Sequence, residues 1–327
     1  MSRPHHLFGD PSMREVTVPV ATLWRSPDAP RDVDEPAVRD VPDVAAWAGA
    51  MDQEVRLGLH GRTETQLLMG EPARVLEERD GWSRVAALHQ ASSVHEDGYR
   101  GWVRSAHLGD PVPLWRGASA TVTSPTAVCE VDEGTLPLSF GTLLWLAGVG
   151  KGTATLHLPD GRRGIVRLDD LRLGHEGQQP LFGDDDVLAA AARFLGLRYL
   201  WGGTSAWGLD CSGLVHLVLR SLGVLLPRDA HDQVDAVEPV PLDDVRPGDL
   251  YFFARPGRRV YHVGFVTSPV AADGTRWMLH APEGGELIEN APLAPHRVET
   301  LVSAGRVRPS AHWETASRSP GSPPTTG

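Results

Sequence analysis

Cysteine and lysine are nearly missing from this chain. Its 327 residues include 2 cysteines, Cys129 and Cys211, and the single lysine Lys151. Two cysteines so far apart exclude a disulfide framework as the source of stability. Positive charge rests on arginine, and acidic residues outnumber basic ones, 42 against 31, for a net charge of −11. That balance argues against a general binder of nucleic-acid backbones. No apolar run reaches the length needed to span a membrane. The opening MSRPHHLFGDPSM lacks the apolar stretch and small-residue cleavage site of a secretory signal. The expectation is a soluble, cytoplasmic protein without a membrane, nucleic-acid or obligate protein partner.

What is present divides along the chain. Residues 1–13 and 314–327 read as disordered tails, too rich in Pro, Ser, Gly and Thr to bury enough surface. The stretch GHEGQQP, residues 174–180, reads as a linker. Before it lie short strand candidates punctuated by turns: 16–20, 73–77, 83–87 and 101–104, then 120–123, 142–146, 153–158 and 164–167. Between the first two, Val44, Trp47, Ala48, Met51 and Val55 recur at helical spacing and predict a helical insertion over 43–59. Two small all-β barrels, over 14–110 and 111–173, fit this pattern.

After the linker, the region 181–313 changes character. A helix is expected over 184–195, started by three aspartates and stopped at Gly196. The run YLWGGTSAWGLDCSGLVHLVLRSLG then puts a glycine-rich loop ahead of Cys211. Leu214, Val215, Val218 and Leu222 share one helical face beyond it. Cys211 therefore falls at a helix start, where the partial positive charge favours a thiolate. Strands follow at 249–253, 262–266 and 276–280; His262 opens the second and His280 closes the third. A cysteine on a helix backed by histidines on strands suits nucleophilic catalysis.

Two resemblances sharpen this reading. GEPARVLEERDGWSRVAA and DGYRGWVRSAHL resemble bacterial SH3-like domains through Gly70, Trp82, Val85, Tyr99, Gly101 and Trp102; FGTLLWLAG and GRRGIVRLDDL form a fainter copy. FLGLRYLWGG, LDCSGLV, LPRDAHDQ, RPGDLYFF, YHVGFV and LHAPEGG, in that order, resemble the NlpC-type cell-wall peptidases. The combined resemblance implies a multidomain chain: two SH3-like barrels, then an α+β papain-like catalytic domain. It implies a cofactor-free cysteine peptidase that cuts the γ-D-glutamyl–diamino acid bond of murein-derived peptides. The nucleophile maps to Cys211, the base to His262, the orienting residue to His280 and an oxyanion tyrosine to Tyr199. The combination is similar to the branch that trims free murein peptides. By that likeness Tyr99 and Asp210 hold the substrate's free amine, and Trp201 and Ser212 line the pocket.

Other readings of these residues stay open. Asp210 also suits a helix N-cap, a role that competes for the same carboxylate. Trp201 and Tyr99 could be packing residues alone. Cys211, His262 and His280 could bind zinc, but there is no second nearby cysteine and no HExxH run. Cys129, in the strand-like TAVCEV, reads as an inert thiol. His296 is the fallback for the third position, and His216 and His231 lack a strand context. A peptide-binding module with a dead catalytic domain, or a thiol amidase or acyltransferase on this fold, are the rival functions.

Overall fold

The computed structural model describes residues 10–111, 117–175, 183–283 and 286–308. The first unit holds Met13–Val16 (β1), Val20–Trp24 (β2), Glu35–Val38 (α1), Val44–Ala50 (α2), Gln53–Leu57 (α3), Thr63–Leu68 (β3), Pro72–Arg79 (β4), Trp82–Ala87 (β5), Tyr99–Arg104 (β6) and Leu108–Gly109 (β7). Its strands form one sheet in the order β3-β2-β6-β5-β4-β1-β7. The expected strand over 16–20 is divided between β1 and β2, with Pro19, which has no N–H to donate, at the break. The expected helix over 43–59 is also divided. Met51 is extended, and the side chain of Asp52 accepts from Val55 N, so a new helix starts there.

The second unit repeats the plan with Ala118–Val122 (β8), Thr126–Val131 (β9), Gly134–Ser139 (β10), Leu143–Val149 (β11), Thr153–His157 (β12), Arg163–Arg167 (β13) and Leu171–His175 (β14). Their order is β10-β9-β13-β12-β11-β8-β14. Gly174 and His175 belong to β14, so the strand runs into the expected linker. Residues 176–180, residues 1–9 of the first expected tail and the whole of the second lie outside the described residues; Met13, placed in the first tail by sequence, is instead buried in β1. Cys129 is wholly buried in this unit's core, and burial pushes its thiol up to about 11.

The third unit contains Asp184–Ala192 (α4), Thr204–Ser205 (β15), Gly208–Leu209 (β16), Cys211–Ser221 (α5), Ala230–Gln233 (α6), Glu238–Val240 (β17), Leu250–Ala254 (β18), Val260–Val266 (β19), Trp277–His280 (β20), Glu289–Pro292 (β21), Pro295–Val298 (α7) and Leu301–Arg306 (β22). Its main sheet runs β17-β22-β18-β19-β20-β21, every pair antiparallel. Every residue of α5 is buried, and the helix lies against β19. One hydrophobic core runs from Val20, Trp24 and Trp47 through Phe140 to Leu214, Leu217 and Val218. The three units therefore share an interior rather than hanging on tethers. Among the described residues no helix is long and apolar enough to cross a membrane.

The end of α5 is held by both preceding units. Arg220 donates to Glu71 Oε1 at 2.5 Å and to the Gly141 carbonyl at 3.3 Å, with both charged side chains buried. At Gly141, a φ of +79° and Leu217 Cδ1 2.7 Å from where a Cβ would stand leave room for glycine alone.

Candidate active site

Cys211 is the first residue of α5 and Asp210 is its N-cap. The Asp210 carboxylate accepts from Gly213 N at 2.6 Å and Gly202 N at 3.0 Å, tying the loop of Gly202 to the helix start. Arg228 completes the arrangement, donating Nη1 to Oδ1 at 3.0 Å and Nη2 to Oδ2 at 2.6 Å. Ser212 Oγ donates to Asp210 Oδ1 at 3.2 Å and accepts from Arg228 Nη1 at 3.0 Å. A buried carboxylate with this many donors is neutralised where it stands.

Sheet packing brings the histidines behind the cysteine. Cys211 Sγ lies 4.0 Å from the carbonyl oxygen of Tyr261, the residue before His262 on β19. His262 Nε2 is 2.8 Å from His280 Nδ1 on β20. His280 Nε2 is 3.4 Å from Glu289 Oε1, its cross-strand partner on β21. His262 is fully buried, and its Nδ1 has no hydrogen-bond partner among the described residues. An unpartnered buried imidazole nitrogen keeps its lone pair available.

The electrostatics differ from the expectation of a thiolate favoured by the helix start. Burial pushes the Cys211 thiol up to about 12, and the Asp210 and Glu283 carboxylates add to the rise. The N–H groups of Val263 and Ser212 offset this only in part. Burial also drives His262 well below the usual imidazole value, helped by Arg297, and His280 down to about 3. Both groups are thus held neutral, thiol and imidazole.

A cavity of about 560 Å3 opens over Cys211. It is walled by the first unit as well as the third: Arg56, Leu57 and His60 come from the helical insertion, and Glu64 and Tyr99 from β3 and β6. The Trp201 ring packs on His60 with centroids 3.9 Å apart, and its carbonyl accepts from Thr63 Oγ1 at 2.9 Å. Tyr199 is buried beside Cys211; burial and the neighbouring Cys211 and Asp210 hold its hydroxyl protonated, hence a donor.

Tyr99 meets a carboxylate, but it is not Asp210. The Tyr99 hydroxyl donates to Asp229, 3.2 Å from Oδ1 and 3.1 Å from Oδ2. Burial raises the pKa of Asp229 and of half-buried Glu64, and Asp229 raises Glu64 further. The cation nearest Asp229, Arg228, is already paired with Asp210. Sequence reasoning missed Asp229 and Arg228 although both stand in LPRDAHDQ, because nothing local shows which carboxylate faces Tyr99. Glu64 carried no signal beyond its place in a strand. His296 sits on α7, and His216 is buried with Nδ1 2.8 Å from the Leu226 carbonyl.

Residues 196–306 match the NlpC/P60 family, and residues 59–108 match the bacterial dipeptidyl-peptidase Sh3 domain. The γ-D-glutamyl-L-lysine dipeptidyl-peptidase of Bacillus subtilis is 33% identical over 300 residues, 90% of this chain and 98% of that protein. The enzyme of the same description from Bacillus cereus is 30% identical, covering 90% of each chain. A crystal structure of an NlpC/P60 family protein from Bacillus cereus superposes with a TM-score of 0.85 at 29% identity, over 90% of this chain and 99% of the other. Similarity of this extent, running through the Sh3 region into the Cys211 site, is that of one architecture throughout: the chain belongs to the NlpC/P60 family of cysteine peptidases.

Proposed function

We propose that the protein hydrolyses the γ-D-glutamyl–diamino acid bond of free murein peptides whose first residue is an unblocked L-alanine. The observation that carries this is the acidic recess of Asp229, Glu64 and Tyr99 in the wall of the cavity over Cys211. Two crowded carboxyl groups keep raised pKa values although Arg25 acts on Glu64 and Arg228, already bonded to Asp210, acts on both; an α-ammonium placed between them adds a cation at the recess itself. Asp210, the carboxylate suggested by sequence, is engaged by Arg228 and caps α5. It therefore supports Cys211 and Ser212 from beneath. The Bacillus relatives' description as γ-D-glutamyl-L-lysine dipeptidyl-peptidases supports the same bond.

Chemically, Cys211 Sγ attacks the γ-carbonyl carbon of D-glutamate as its proton passes to His262 Nδ1. His262 Nε2–H donates to His280 Nδ1, which leaves the His280 Nε2–H directed at Glu289. The Tyr199 hydroxyl and the Cys211 backbone N–H are the donors for the developing oxyanion. The imidazolium then gives its proton to the departing amine, and water, activated by His262, cleaves the thioester.

Comparison of L-alanyl-γ-D-glutamyl-diaminopimelate with its N-acetylated form tests the reading by mass spectrometry of the released dipeptide. Loss of a charge-assisted hydrogen bond corresponds to about 1.5–3 kcal/mol, roughly 10- to 150-fold in kcat/KM. Wild type should show that preference for the free amine, and Asp229→Asn should lose most of it. Equal cleavage of both peptides would refute the amine recess, and efficient digestion of intact sacculi would refute the preference for free peptides. A second expected outcome concerns the histidine relay. Replacing His280 with Ala should cost less than replacing His262, whose base role is worth about two to four orders of magnitude. Glu289→Gln, farther out and half-exposed, should cost less again; a ranking in any other order, read from kcat, removes the relay.

A further inference from the structure

The recess holds one end of the peptide, and the scissile carbon must sit at Cys211. The leaving diamino acid therefore lies on the far side of the sulfur. The remaining lining of the cavity includes the β18–β19 hairpin and the segment after β20, through Arg255, Val260, Tyr261 and Glu283, and the Tyr261 carbonyl lies 4.0 Å from Cys211 Sγ. The hairpin reads Arg255-Pro256-Gly257-Arg258-Arg259, and all five residues are exposed. In a chain of net charge −11 this is a local reversal of sign. Among the described residues none of its three arginines pairs with a carboxylate, and Glu283 pairs with no cation.

Arg255 is also held in place. Its guanidinium lies 5.3 Å from the centroid of the Tyr261 ring. Arg297 covers that ring at 5.5 Å and donates Nη1 to the Tyr261 hydroxyl at 3.1 Å. That hydroxyl is also 3.0 Å from Thr300 Oγ1. A platform fixed at its hydroxyl end and stacked with cations limits where Arg255 can point. The charges acting most strongly on Asp229 are Arg228, Asp210 and His231, whereas Glu283 acts on Cys211 and Tyr199. Glu283 thus belongs to the reacting end of the cavity.

We propose that Arg255 and Glu283 read the leaving residue as a zwitterion, Arg255 taking a carboxylate of the diamino acid and Glu283 its distal ammonium. This rests on the γ-D-glutamyl reading above and adds the primed-side specificity. A leaving residue lacking either charge leaves one of these groups without its counter-ion in the occupied cavity.

The test uses the full chain and six peptides that begin with L-alanyl-γ-D-glutamate. They end in L-lysine, L-lysine amide, L-norleucine or meso-diaminopimelate, the last also amidated at one or the other carboxyl to separate the α-carboxylate from the distal one. Wild type should favour the lysine acid over its amide, and over norleucine, by on the order of tenfold in kcat/KM for each lost ion contact. In Arg255→Gln the acid-to-amide ratio should fall toward one while the lysine-to-norleucine ratio persists. Glu283→Gln should do the reverse, and Arg255→Lys should restore part of the first ratio. The pattern of monoamide cleavage identifies which carboxylate is read. Ratios unchanged by either variant, or lowered together in both, would overturn the zwitterion reading alone. Wild type that cleaves none of the peptides would overturn the γ-D-glutamyl reading and this inference with it.

Discussion

Cys211→Ala should lower kcat by at least about four orders of magnitude, because removal of a nucleophile abolishes the covalent route. Its thermal transition should stay close to wild type, since the polar contacts of Cys211 Sγ are weak: 4.0 Å to the Tyr261 carbonyl, and the N–H groups of Val263 and Ser212. The same site makes a less familiar demand on chemical labelling. With the thiol pushed up to about 12, the thiolate is scarce at neutral pH. Iodoacetamide should therefore inactivate slowly at pH 7 and faster as pH rises toward 10. On the proposed mechanism turnover needs no free thiolate, because His262 would receive the proton as substrate arrives. That base stays neutral until well below pH 6.5, since burial holds its pKa down. Activity should thus be retained through pH 6, where a free imidazole would already be about three-quarters protonated. EDTA should leave activity unchanged. Loss with chelator and recovery with zinc would overturn the thiol mechanism, and rapid alkylation at pH 6 would overturn the neutral resting pair.

Stability should fall steeply between pH 7 and 5. His216, His262 and His280 are buried, and burial is the largest cause lowering each, His216 and His280 to about 3. Unfolding returns them to an ordinary imidazole value near 6.5. Above that pH neither state is charged and the three add no pH dependence. As pH falls through it, the unfolded chain takes up protons that the folded chain refuses, so the fold loses stability until the depressed values are reached. At pH 5 the loss is about 2 kcal/mol for each of His216 and His280, and His262 adds to it in the same direction. Asp229 and Glu64, with raised values, work in the opposite direction and offset part of it. The midpoint of urea unfolding at pH 7.5 and 5.0 checks the total. His216→Asn isolates one contribution, because an amide can replace the Nδ1 bond to the Leu226 carbonyl without titrating. Its loss between the two pH values should be about 2 kcal/mol smaller than wild type. An unchanged difference would mean that His216 accepts a proton in the folded state.

The candidate site was legible in sequence where it is local. LDCSGLV placed Cys211 at a helix start, because a glycine-rich loop, a capping aspartate and an apolar helical face are neighbours along the chain. The strand runs around His262 and His280 were legible for the same reason, although β19 begins earlier, at Val260. What was not legible depends on pairing at a distance. Tyr99 and Asp229 are 130 positions apart, and no rule of periodicity selects Asp229 over Asp210. Glu289 reaches His280 only through the β20–β21 register. The thiol's direction of shift was missed because a helix start is a local property, while burial depends on everything packed above it. The divided insertion was a propensity failure: the apolar spacing across Met51 persists, and the cap at Asp52 interrupts it.

The interior shared by α5, β2 and Phe140 has a consequence for ancestry. Modules joined by tethers can be exchanged by recombination, each keeping its own core and its own ligand. Here a crossover between residues 142 and 183 would part Gly141 from Leu217 and Glu71 from Arg220. It would also separate Tyr99 from Asp229, so the descendant would lose packing and substrate selection in a single event. The three segments must then be inherited together, and substitutions on one side of the seam invite compensating ones on the other. Co-variation among relatives should concentrate on pairs such as Thr65 with Arg228 and Gln66 with Thr204, which bond across it.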